Sequence, residues 1–96
     1  MVLCLKMTDD DFLNFISKTE RDYPSLVLDI CTKEQIRFRM YICQECFKNN
    51  KCKVCSCSPY DTFIEKFSCN NEEFFPNRMN KWKWEEFKQN HNLMFE

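Results

Sequence analysis

Glycine is missing altogether from this chain of 96 residues, and histidine occurs once, as His91. Without glycine, tight turns that need positive φ lack the one residue that takes it at no steric cost. Asparagine is the next best occupant, and Asn49 and Asn50 stand where the cysteine-rich stretch needs such a turn. The lone histidine sits in the polar setting QNHNLM with no partner at motif spacing, which argues against general base catalysis. It argues equally against a catalytic zinc, which commonly uses imidazole and keeps one position open for water. Long apolar runs are lacking too. The start, MVLCLKMTDDD, carries one Lys and three Asp around a very short apolar run. That is not a signal peptide, and neither it nor any later segment is long enough to span a membrane. Export is therefore not expected, and clustered thiols in a reducing cell are more often metal ligands or catalytic groups than disulfides. Repeats and low-complexity tracts are also absent.

What the chain does have is cysteine. Six of its eight cysteines follow the spacing Cys43-x2-Cys46-x5-Cys52-x2-Cys55-x-Cys57-x11-Cys69. A pair separated by two residues lets both sulfurs approach one ion while backbone N–H groups point at them, which is the unit of tetrahedral zinc sites. Six thiolates allow two arrangements: four on one Zn2+ with two buried thiols, or six shared between two ions through bridging sulfur. Spacing does not choose between them. The spacings typical of ferredoxin clusters are absent. A redox pair at Cys52 and Cys55 would need a βαβ context that the chain does not supply. Cys4 and Cys31 lie outside the cluster in apolar surroundings and read as ordinary buried cysteines. An all-cysteine site is normally closed and structural, so no enzyme activity is expected.

Formal charge is −1, and becomes about −3 once four thiolates hold one Zn2+. No general affinity for nucleic acid follows from such a net field. Positive charge is nevertheless concentrated in Lys33, Arg37, Arg39, Lys48, Lys51 and Lys53, against Glu34 and Glu45. These cations are read first as offsetting nearby thiolate charge, and alternatively as a face for phosphate.

The remainder reads as one small α-rich domain over residues 1–96, too short for two independent cores. Residues 1–42 form its helical part, 43–82 the zinc-binding module and 83–96 a C-terminal helix and tail. Thr8 is a candidate cap for a helix whose stripe is Phe12, Phe15, Ile16 and Thr19, ending before Pro24. SLVLDI, at 25–30, fits a strand or a helical turn equally. Thr32 with Gln35 makes a capping box for a second helix from Lys33 to about Cys46, with Ile36, Met40, Cys43 and Phe47 on one face. The two helices are expected to pack through Phe12, Phe15, Ile16, Ile36 and Met40. At most a short hairpin is expected between Cys57 and Cys69. The C-terminal segment reads as a helix capped by Asn80, with Trp84 and Phe87 inward and Trp82 at the edge of the metal site.

From Arg39 to Trp82 the pattern runs Arg39-x3-Cys43-x2-Cys46, Cys52-x2-Cys55-x-Cys57, Cys69, then Lys81-Trp82. It resembles a group of small, mostly uncharacterised zinc-binding proteins of bacteriophages and bacteria. Their signature is a helix entering C-x2-C, then C-x2-C-G-C, a basic segment, and C-P ending in Lys-Trp. Ser56 stands where that group has glycine, and Asn70 where it has proline. The resemblance implies zinc and a phage origin, with residence in the host cytoplasm or the virion, and supplies no agreed activity. The expected role is that of a non-catalytic structural or interaction protein docking on larger proteins, phage structural proteins among them. Ten Phe, three Tyr and two Trp in so short a chain leave some aromatic surface for a partner to cover. The alternative is nucleic-acid binding through Arg37, Arg39, Lys48, Lys51 and Lys53.

Overall fold

The computed structural model describes residues 2–43 and 77–96. Their elements in chain order are β1 (Leu3–Leu5), α1 (Asp10–Asp22), α2 (Ile30–Ile42), α3 (Lys81–Asn90) and β2 (Leu93–Phe95). The α-rich expectation holds for this part of the chain. Phe47, the hairpin expected between Cys57 and Cys69, and five of the six clustered cysteines lie outside the described residues.

Helix α1 is built as its stripe dictates. Phe12, Phe15, Ile16 and Thr19 are its buried residues. Thr19 returns its hydroxyl to the Phe15 carbonyl at 2.8 Å, so the polar member of the stripe is satisfied inside. The cap is Asp9 rather than Thr8: its carboxylate accepts from the Phe12 N–H at 3.0 Å. A charged acceptor at the positive end of the helix makes a stronger bond than a hydroxyl would. The helix closes at Tyr23, just before Pro24, where the sequence places its end.

Helix α2 starts three residues earlier than the capping-box reading puts it. Asp29 is the cap and accepts from the Thr32 N–H at 2.8 Å. Thr32 is thereby the third residue of the first turn, and Gln35 is released for a different task. That bond holds the Asp29 carboxyl below its ordinary value. A lowered folded-state value means stability that is present at neutral pH and lost as pH falls through the acid range. Asp29→Ala is therefore expected to cost about 1 kcal/mol in urea melts at neutral pH. The gap between variant and parent should narrow in melts run near the foot of the acid limb. SLVLDI is neither strand nor helix until Ile30, and it alternates along an extended connection. Leu26 and Leu28 pack against the core while Val27 faces out.

The first core cluster comprises Phe12, Phe15, Ile16, Ile36, Met40 and Cys43, which includes all five residues expected from periodicity. Burying each such side chain is worth roughly 1.5–3 kcal/mol. Helix α2 also has a second buried side, because it packs on α3 as well as on α1. There Phe38 meets Trp84 and Phe87 at centroid distances of 6.0 and 5.7 Å, and Trp84 stacks on Phe87 at 5.6 Å. A helix gripped on two sides is poorly amphipathic, which is why its start is hard to read from the sequence.

Asn80 caps α3 as expected, accepting from the Lys83 N–H at 2.9 Å. The helix does not run to the end of the chain. Asn92 adopts φ 52°, the left-handed conformation that asparagine tolerates, and the chain reverses into β2. Strand β2 pairs parallel with β1, with Leu3, Cys4 and Leu5 opposite Leu93, Met94 and Phe95. Sequence reading does not anticipate this sheet. LCL and LMF are three residues each, too short for a period to show.

Candidate metal centre

Cys43 is the one candidate ligand among the described residues. It caps the C-terminus of α2, its N–H donating to the Arg39 carbonyl at 2.9 Å. The helix ends here and not at about Cys46, and the Cys43 side chain is buried with Ile36 and Met40. The thiol thus sits at a helix end inside the core. Cys46, Cys52, Cys55, Cys57 and Cys69 lie outside the described residues. Among the described residues no group of three or more His, Cys, Asp or Glu could hold a metal. By chemistry alone, the donor set suits Zn2+, with soft sulfur and no imidazole.

The expected cation face is redistributed. Arg39 is only 2% exposed. Burial, and then the neighbouring charge of Arg78, push its guanidinium down to about 10, with Cys43 acting in the opposite direction. Arg37 is largely covered, donating its Nε to the Lys6 carbonyl at 2.9 Å and lying 4.0 Å from the Asp9 carboxylate. Lys48, Lys51 and Lys53 lie outside the described residues. Sequence cannot separate an arginine on the outside of α2 from one inside it, because both sides of that helix are packed.

Two of the remaining cysteines differ from expectation. Cys4 is exposed on β1, since its neighbours Leu3 and Leu5 take the inward positions of an alternating strand. Cys31 is half-buried and accepts from Gln35 Nε2 at 3.2 Å. Burial pushes the Cys31 thiol up, which keeps it protonated and unreactive. Trp82 is 87% exposed, and the cysteines whose edge it was expected to border, Cys43 apart, lie outside the described residues. Two residues along a helix is about 200° of rotation, so burying Trp84 turns Trp82 outward.

The residue that most shapes this framework is Gln35. Its Nε2 donates to the Met79 carbonyl at 2.8 Å, and its Oε1 accepts from the Met79 N–H at 2.7 Å. One buried amide thus pairs with both main-chain groups of a single residue, as a neighbouring strand would, and fastens the segment entering α3 to the middle of α2. Gln35→Leu keeps the volume but strands both Met79 groups, and should cost about 2 kcal/mol. Chemical denaturation reads the loss, and faster exchange of the Met79 amide locates it.

A second polar cluster was not foreseen as a unit. Glu34 Oε1 accepts from Trp84 Nε1 at 2.9 Å and from Lys88 Nζ at 2.7 Å, while Lys88 also reaches Glu85 at 3.0 Å. Burial works against the Lys88 charge, but hydrogen bonds to Glu34 and Glu85 more than offset it and raise its value. The four-residue step from Trp84 to Lys88 is visible in the sequence, but a partner fifty positions away is not. Compared with family models, with curated proteins and with solved structures, the chain matches none. No described helix is long and apolar enough to cross a membrane.

Proposed function

We propose that the chain is a non-catalytic, zinc-stabilised interaction protein, phage-encoded, that docks as a small structural component on larger proteins. The observation that carries this reading is the cysteine spacing from Cys43 to Cys69. It joins a helical framework at Cys43, a buried thiol that the end of α2 holds in place. Closed sulfur sites of this kind stabilise a shape and leave no coordination position for substrate. Among the described residues that framework is three helices and a two-stranded sheet, with exposed apolar side chains such as Trp82, Val27 and Ile30 on its outside. The burial of Arg39 and the engagement of Arg37 weigh against the phosphate-binding alternative, which is left to rest on Lys48, Lys51 and Lys53, outside the described residues.

The test is to purify the full chain from its native host or particle. Metal is quantified by elemental analysis, and co-purifying material is identified. One or two equivalents of zinc with a protein partner are expected. A zinc-free preparation, or retention of DNA or RNA with steep salt dependence, would overturn the reading.

A further inference from the structure

We propose that the edge of β2 that no described residue covers accepts an extended segment of a partner protein as a third strand, with a basic side chain of that segment over Glu85. The inference deepens the interaction reading above and rests on it for the claim that the partner is a protein.

Parity in the parallel ladder defines the edge. Leu3 N–H donates to the Asn92 carbonyl at 2.9 Å, Glu96 N–H to the Leu5 carbonyl at 3.0 Å, and Met7 N–H to the Glu96 carbonyl. The odd-numbered residues of β1 thus turn their main-chain groups toward β2. The main-chain groups of Cys4 and Lys6 face away on one side, and those of Leu93 and Phe95 on the other. The β1 side is closed at Lys6, whose carbonyl accepts from Arg37 Nε at 2.9 Å and from the Asp9 N–H at 3.4 Å. Leu93 and Phe95 receive no such cover among the described residues. A strand left open in this way is a template for another strand.

The ground beside β2 selects what could lie there. An open groove of about 480 Å³ is lined by Leu93, Met94 and Phe95 together with Glu34, Glu85 and Lys88. One ammonium is shared by two carboxylates, at 2.7 and 3.0 Å, which leaves one negative charge in excess. The Glu85 side chain is 52% exposed and is the carboxylate that a newcomer meets. Met94 and Val2, which also border the groove, stand with Cys4 on the outer face of the sheet, all exposed. Side chains of an added strand alternate between these two faces. The complementary segment therefore alternates basic with apolar residues. Neither described strand, LCL nor LMF, contains a basic residue, so pairing β1 or β2 of a second copy here would leave Glu85 without a cation.

The experiment uses the full-length, metal-loaded protein labelled with 15N, and a capped six-residue peptide of alternating Val and Lys. A peptide of alternating Val and Glu is the control. With the Val/Lys peptide, the Leu93 and Phe95 amides should shift and exchange at least about tenfold more slowly. Glu85→Lys should weaken binding about tenfold while the spectrum elsewhere stays native. The proposal is overturned by protection at Cys4 instead, by equal binding of the Val/Glu peptide, or by no protection at either site. A dimer that already protects these two amides would also overturn it, by giving the edge to a second copy. Zinc content and co-purification, measured on the same preparation, report separately on the underlying reading.

Discussion

Trp84→Ala should remove about 3–5 kcal/mol from folding stability, measured as a lower urea midpoint. That is a large share of the 5–15 kcal/mol typical of a domain. Trp84 is 1% exposed and touches the aromatic rings of Phe38, Phe87 and Phe95. Its loss opens a cavity where α2, α3 and β2 meet. It also takes one donor from Glu34, whose carboxylate is mostly covered. Near-ultraviolet circular dichroism should collapse along with the melt. Trp84→Phe keeps most of the buried area and gives up only the Glu34 bond, so about 1 kcal/mol should be lost. Trp82→Ala, two positions away on the open side of α3, should stay within about 0.5 kcal/mol of the parent. An equal effect of the two tryptophan-to-alanine changes would contradict the packing described.

Cys55→Ser tests the other half of the chain. Structural zinc sites contribute apparent binding energies of about 10–16 kcal/mol in small modules. Losing one sulfur donor should therefore release metal and unfold the cysteine-rich stretch, and chelation of the parent should do the same. From sequence alone the metal-dependent stretch reaches Trp82. The Gln35 bonds to Met79 and the burial of Trp84 argue that its effect stops short of α3. Amide exchange should thus stay slow at Phe12, Phe15, Ile36 and Trp84 and be fast between Cys46 and Cys69. Retention of full zinc content and an unchanged melt in Cys55→Ser would remove the case for a structural cage.

The core was legible where one period acts alone. Phe12, Phe15, Ile16 and Thr19 recur at helical spacing on a helix with one buried side, so the stripe and its burial coincide. Ile36 and Met40 were legible from their four-residue spacing, although α2 is packed on two sides. Capping was less so: Thr8 and Thr32 are good caps by type, but Asp9 and Asp29 stand close by, and local sequence does not rank them. Gln35 fits a capping box, yet it bonds a residue more than forty positions later. Arg39 carries the signature of a surface cation and is buried. The misreadings of Gln35 and Arg39 share a cause, since each outcome is decided by packing against residues distant in sequence. Of the candidate site, only the position of Cys43 has been added to what cysteine spacing implies.

The parallel pairing of β1 with β2 has a consequence for biosynthesis. Strand β1 leaves the ribosome long before β2 is made, and must wait for it to find its partner. Helices α1 and α2 can associate long before that, whereas closing so large a loop costs entropy that only late contacts repay. Throughout translation, then, Val2 to Leu5 is an orphan apolar stretch, open to chaperones or to misassociation. A chain truncated before Leu93 would never shelter it.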